Sequence, residues 1–230
     1  MEDKRYCYKY PHPAVTTDCV IFGFDGANLK ILLVERGIEP YKGKWALPGG
    51  FLNPDESAET GAIRELKEET GLEPEYVEQF RAYTAPDRDP RERVITIAFL
   101  ALVRLQDVKG GDDAADARWF SVNHVPQLAF DHDVILRDAL ARLRERIHFH
   151  PIGYDLLPEK FTMKELQTLY ESVLGVHFDR GNFSKKMLHL DILTQLEETV
   201  RPTPRRNANL YRFNLDKYRE LKERGFRLEF

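Results

Sequence analysis

Residues Gly50–Leu72 read GFLNPDESAETGAIRELKEETGL, and the spacing inside this stretch decides the fold. Pro54 and Asp55 lead into a helix predicted from near Ser57 to Thr70, and Gly71 stands where helices favour a left-handed residue. At about 100° per residue, Glu65, Glu68 and Glu69 fall within an arc of roughly 100° on one side. Ala62, Ile63 and Leu66 lie round the other side and can face a core. Three carboxylates are thus presented together at the helix end that prefers cations, at spacings where like charges repel. Arg64 and Lys67 offset part of this burden. A hard cation such as Mg²⁺ or Mn²⁺ would offset the rest, because it takes oxygen ligands and bridges carboxylates to phosphates. Glu56 is the natural partner of Arg64. In the breaker cluster Pro48-Gly49-Gly50, the glycines let backbone approach a ligand, and a carbonyl there can complete a metal shell. A charged, solvated helix face is the ordinary alternative for such a run, and the fixed spacing back to Gly50 argues against it.

Outward from this helix the pattern is mixed. Val15–Phe24 and Leu29–Arg36, joined by Asp25-Gly26, read as a β-hairpin. Trp45–Leu47 is followed by the breaker cluster, and further strands are predicted at Val77–Tyr83, Val94–Leu105 and Ala117–Ser121, with a polar loop at Ala85–Arg93 and another at Asp107–Asp116. Asp131–Ile147 has helical spacing. Strands with two helices give an α+β class, an α/β/α sandwich with a mixed sheet, over residues 1–150. The chain has 230 residues, 42% hydrophobic and 31% charged, which excludes disorder and fibrous classes. Its longest apolar run, Val94–Val103, is half of what a membrane helix needs, so no membrane association is expected. No signal-peptide stretch opens the chain, and Cys7 and Cys19 make no disulfide framework, so reduced thiols in a cytoplasmic protein are expected.

Gly50, Glu56, Arg64, Glu65, Leu66, Glu68, Glu69, Gly71 and Leu72 resemble the Nudix signature at every fixed position. The resemblance implies a catalytic set of Arg64, Glu65, Glu68 and Glu69. It implies a Mg²⁺ or Mn²⁺ cofactor held by Gly50, Glu65, Glu68 and Glu69, activating water against a diphosphate. Which glutamate would act as base stays open. Ligand contacts are expected from Gly49, Gly50, Pro86 and Arg88; Pro86 lies 15 residues past Gly71, near where members acting on ADP-ribose carry a proline. Asp87, Asp89 and Glu92 are candidates for a further acidic group.

After a connection at His148–Lys160 the pattern changes. Thr162 with Glu165 is a capping box opening a helix to Leu174, closed by Gly175, and a second helix fits Arg180–Leu190. Leu193–Val200, an Arg- and Pro-rich turn at Arg201–Asn209, Leu210–Asn214 and a helix at Leu215–Arg224 complete a winged helix-turn-helix over 151–230. The net charge is −6 over residues 1–150 and +2 over 151–230, within a total of −4. On the second helix Phe183, Met187 and Leu190 form the buried side, leaving Arg180, Asn182, Lys185, Lys186 and His189 for DNA. Arg201, Arg205 and Arg206 of the wing could reach a phosphate backbone or a minor groove.

HPAVTTDCVIF, GKWALPGGFL, DRDPRER, FTMKELQTLYESVLG and DRGNFSKKML together resemble the Nudix-related transcriptional regulators, over roughly Pro11–Phe226. The resemblance implies a homodimer on a double-stranded, palindromic DNA operator and a small-molecule effector, ADP-ribose-like or a sugar. Many such regulators carry an eroded Nudix box. Here it is complete, which keeps open a Mg²⁺-dependent pyrophosphohydrolase as the alternative function.

Overall fold

The computed structural model describes residues 9–74, 77–108, 110–111, 114–203 and 206–225. Cys7 and Arg205 lie outside them. At the centre is β1 (Ala14–Phe24), hydrogen-bonded antiparallel to β2 (Leu29–Arg36) at its end and parallel to β6 (Val94–Leu102) along its length. The short strands β3 (Trp45–Ala46) and β4 (Gly49–Phe51) pair with β2 and β1 respectively. β5 (Glu78–Tyr83) extends the sheet beyond β6, and β7 (Ala114–Ser121) pairs with β2.

Side chains alternate across a sheet, so a strand buried on both faces needs cover on both. On one face Cys19, Ile21, Leu32 and Val34 pack with Ala62 and Leu66 of α1 (Ala58–Thr70). On the other Val20, Phe22, Ile31 and Leu33 share a core with Ile135, Leu136, Ala139 and Leu143 of α2 (His132–Arg146). The expected sandwich is therefore present. β6 stops at Leu102, short of the expected Leu105, because its ladder on β1 ends at Phe22. β7 starts earlier than expected, at Ala114, because it pairs with β2 as far as Arg36.

The stretch read as a connection is packed. It holds α3 (Gly153–Leu156), and Ile152, Leu156 and Leu157 are buried in the same core as α2. That core continues into α4 (Met163–Leu174) and α5 (Arg180–His189) through Leu166, Leu169, Tyr170, Phe183 and Met187. The capping box is formed: Thr162 Oγ1 accepts from Glu165 N at 3.2 Å, and Thr162 N donates to Glu165 Oε2 at 2.7 Å. Missing from the sequence reading is β8 (Phe161–Thr162), which pairs with β10 (Arg206–Phe213), itself antiparallel to β9 (Leu193–Thr203). The wing strands overrun most of the expected turn at Arg201–Asn209, since Pro202 falls on β9, an edge strand, which tolerates proline where an inner strand would not. α6 (Leu215–Glu223) closes the described chain, capped by Asn214. Among the described residues no helix is long and apolar enough to cross a membrane, and the apolar run Val94–Val103 is mostly β6.

Candidate functional site

A cleft of about 370 Å³ opens where β1, β4 and α1 meet. Its floor is set by close approach. Gly49 has φ 153°, and a Cβ there would strike the Thr17 carbonyl oxygen; a Cβ at Gly50 would strike the Glu65 carboxylate. These two glycines let β4 lie against β1 while Gly49 N donates to Glu69 Oε2 at 2.9 Å.

Glu65, Glu68 and Glu69 all line the cleft, but their surroundings differ. Arg64 gives two bonds to Glu56, at 3.0 and 2.6 Å, as expected from the sequence. Its Nη1 also donates to Glu65 Oε1 at 2.8 Å and Glu68 Oε2 at 2.9 Å, and its Nη2 to the Phe51 carbonyl at 3.1 Å. One guanidinium thus ties the loop to the helix and spans two of the three carboxylates. By helical count Glu69 lies only about 20° from the fully buried Ala62, so the carboxylate arc adjoins the apolar face at Ala62 instead of lying on the other side from it, and Glu69 is the carboxylate driven inward. Burial, with Glu65 and Asp18 nearby, pushes Glu69 up to about 8 against the pull of the Gly49 N–H. Burial also raises Glu65. Among the described residues no three acidic, histidine or cysteine side chains converge into a ready metal cage, since Glu65 and Glu68 turn to Arg64 and Glu69 to Gly49.

Behind the glycine loop two residues absent from the sequence reading, Asp18 and His132, meet Arg88. Asp18, on β1, is 6% exposed, and it faces Arg88 Nη2 at 3.3 Å and His132 Nε2 at 3.6 Å. Leu47 N donates to His132 Nδ1 at 2.9 Å, which assigns the imidazole proton to Nε2, toward Asp18. Burial lowers the His132 pKa and keeps the ring neutral. Arg88 does line the cleft, yet its guanidinium is committed to Asp18 and to Asp131, the N-cap residue of α2. Pro86 is exposed and does not line the cleft: the Ala85–Arg88 turn faces it outward, while Arg88, Asp89 and Arg91 turn in. Of the acidic candidates Asp87 and Glu92 are exposed, and Asp89 is gripped by Arg91. Arg36, Phe51, Arg91 and Phe130 also line the cleft. None of these has a spacing signature; sheet register and the loop before α2 bring them together.

On α5, Arg180, Asn182, Lys185 and His189 are exposed, Lys186 is half-buried, and Phe183 and Met187 face the core. Leu190, expected to be buried, is half-buried at the helix end. Asp179 caps the helix by accepting from Asn182 N at 2.8 Å. Arg201 is exposed on β9, its Nε donating to Asn207 Oδ1 at 3.0 Å. The side chain of Arg206 lies outside the described residues.

Residues 12–143 match the NUDIX domain. The chain belongs to the NUDIX family. Residues 153–213 of this NUDIX protein match the NrtR DNA-binding winged helix domain. An ADPR responsive transcriptional repressor NtrR of Acinetobacter baylyi is 34% identical over 91% of the chain and 85% of its own length. An ADP-ribose pyrophosphatase of Methanocaldococcus jannaschii is 46% identical over 56% of the chain and 74% of its own. The crystal structure of Shewanella oneidensis NrtR superposes with TM-score 0.75 at 31% identity, covering 93% of this chain and 97% of that one. The same protein with a 27mer DNA gives TM-score 0.74 at 31% identity, with coverage again 93% and 97%. Its NUDIX domain with ADP ribose gives 0.56 at 34% identity, covering 58% and 90%.

The clamp has a pH signature. Hydrogen bonds from Arg64 hold the Glu56 carboxyl down to about 2, below its ordinary 4.5. A depressed carboxylate contributes stability that is fully present above the unfolded value and is lost as pH falls through the folded one. Glu56→Gln should therefore lower the urea midpoint at pH 7 and flatten its decline between pH 4.5 and 2 relative to wild type; two parallel curves would remove Glu56 from this role.

Proposed function

We propose that this chain is a transcriptional regulator responsive to ADP-ribose, with the cleft as sensor and α5 and the β9–β10 wing as DNA reader. The observation that carries this reading is the likeness over both domains to a protein solved with DNA and, as its NUDIX domain, with ADP ribose. The exposed face of α5 supports it, supplying cations for phosphates together with an amide and an imidazole for base edges. One such helix reads one half-site, so the reading takes a palindromic operator and a homodimer.

The two ends of α2 give the sensor a route to the reader. His132, its first residue, lines the cleft, and Asp131 before it is bonded to Arg88. Near its other end Arg144 Nε donates to the Val173 carbonyl of α4 at 3.0 Å. A ligand changes the DNA affinity only insofar as it binds the two arrangements of this link unequally.

A divalent cation fits the acidic wall. The donors are all oxygens, burial and neighbouring carboxylates already disfavour the charge on Glu69, and Gly50 leaves the Glu65 carboxylate free of any Cβ. Glu65, Glu68, Glu69 and the Gly50 carbonyl would hold it, and when bound it would neutralise diphosphate charge. Arg64 then acts as a positioning residue, keeping Glu65 and Glu68 aligned and tied to the loop through Glu56.

For the regulator, a mobility shift on the DNA upstream of its own gene should show a sequence-preferring complex whose stability changes with ADP-ribose but not with simple sugars. Lys185→Ala should weaken binding on all sequences and reduce the slope of log affinity against log salt by about 1. Absence of sequence preference at moderate salt would contradict the reading.

A second reading, hydrolysis of ADP-ribose, is favoured by the complete set of carboxylates and by the likeness to a pyrophosphatase. It predicts AMP release with Mg²⁺ that falls on the order of a hundredfold in Glu68→Gln. No AMP from the wild type with Mg²⁺ or Mn²⁺ would leave sensing alone.

A further inference from the structure

Away from the cleft, three polar side chains from separate parts of the chain close on one another at the junction of the domains. His150 stands four residues past α2, its backbone N–H bonded to the Arg146 carbonyl at 2.9 Å. Its ring Nε2 lies 2.7 Å from Asp155 Oδ2 on α3, and its Nδ1 lies 2.9 Å from the Tyr218 hydroxyl on α6. A carboxylate only accepts, so Nε2 carries a proton toward Asp155, and in the neutral ring Nδ1 accepts from Tyr218. Burial raises the Tyr218 hydroxyl pKa and keeps it a donor. In the imidazolium both nitrogens donate, and the Tyr218 proton turns to the Phe149 carbonyl at 3.4 Å. The contact therefore closes in either charge state of the ring.

The helix it holds has little else to fix it. No residue of α6 is fully buried, and Tyr218 and Leu221 reach the shared core only in part. Its Lys217–Asp191 pair, at 4.0 Å with both side chains open to water, adds little. The parties on the other side are anchored. Gly153 lets α3 lie so close to α4 and β10 that a Cβ there would strike Leu166 and Phe213. The end of α2 is tied to β5, where Arg142 and Arg146 both pair with Glu78. This end of α2 and the residues just past it grip the second domain twice, through Arg144 Nε on the Val173 carbonyl of α4 and through His150 on Tyr218 of α6. Two ties to two helices fix an orientation, where one alone leaves a pivot.

We propose that His150, Asp155 and Tyr218 form a latch that makes the second domain follow the end of α2, so that binding in the cleft is felt at the duplex. His150 and Tyr218 are positioning residues, since neither lines the cleft or belongs to α5. The latch rests on the regulator reading above and adds the contact through which the two sites share one equilibrium.

Tyr218→Phe keeps the ring and removes the hydroxyl. In the full chain, amide hydrogen exchange should quicken by about fivefold or more at α6 and at residues 150–156 together, because one internal hydrogen bond is lost. The factor by which saturating ADP-ribose changes affinity for the upstream duplex should fall by about threefold or more, with ADP-ribose affinity of the free chain held within about twofold of wild type. Lys217→Ala, on the same helix, should alter neither exchange nor coupling. Unchanged exchange at either segment, or an unchanged coupling factor in Tyr218→Phe, overturns the latch. So does a matching loss in Lys217→Ala, or a general loss of ADP-ribose affinity in Tyr218→Phe, either of which marks a purely structural role. A wild-type chain whose duplex affinity ignores ADP-ribose overturns the effector reading instead, and the exchange rates then still show whether Tyr218 holds α6 to His150.

Discussion

Three carboxylates on the last turns of one helix cannot sit together unopposed, and the Arg64 guanidinium is what makes their arrangement tolerable. It faces Glu56, Glu65 and Glu68 and caps the Phe51 carbonyl, so the loop that carries Gly49 and Gly50 is tied to α1 by one side chain. The remaining carboxylate, Glu69, turns to the Gly49 N–H. Everything else in the cleft is placed relative to that loop: His132 fixes it from behind at Leu47, and Phe51 carries it out toward Arg91. Broken helix preferences thus coincide with the site, and the compensation is local.

That helix was legible because its chemistry is periodic. Cap, apolar face, carboxylate arc and terminal glycine lie within one stretch of chain, and the structure places Ser57, Ala62, Leu66 and Gly71 as their spacing implies. The same holds for the Thr162 box and for Phe183 and Met187 of α5. The rest of the cleft lining was not legible. Asp18 sits within a run of strand residues, and Phe130 and His132 lie at a helix entrance; only strand register and α2 docking give them neighbours. Arg91 stood in plain view in DRDPRER, but nothing in the string says which of its charges turn inward. Pro86 was chosen there and faces solvent.

The junction between the domains misled for a related reason. Pro151, Gly153 and Pro158 suggest a linker by composition, yet Ile152, Leu156 and Leu157 are interleaved with them and bury into the shared core. A leucine and an isoleucine next to a breaker are weak signals alone; only the tertiary surface of α2 and α4 gives them a place. The consequence is functional. With one apolar core running from the sheet to α5, the proposed reader is packed directly on the domain that holds the cleft, and α2 touches both.

The central claim is that cleft and reading helix share one equilibrium, and thermodynamic reciprocity tests it most directly. ADP-ribose affinity is measured by calorimetry on the free chain and on the chain saturated with its operator duplex. The two values should differ by the same factor by which saturating ADP-ribose changes the affinity for the duplex. Equal ADP-ribose affinity with and without DNA would contradict the account, leaving a cleft and a reader joined by chain and core but not by function.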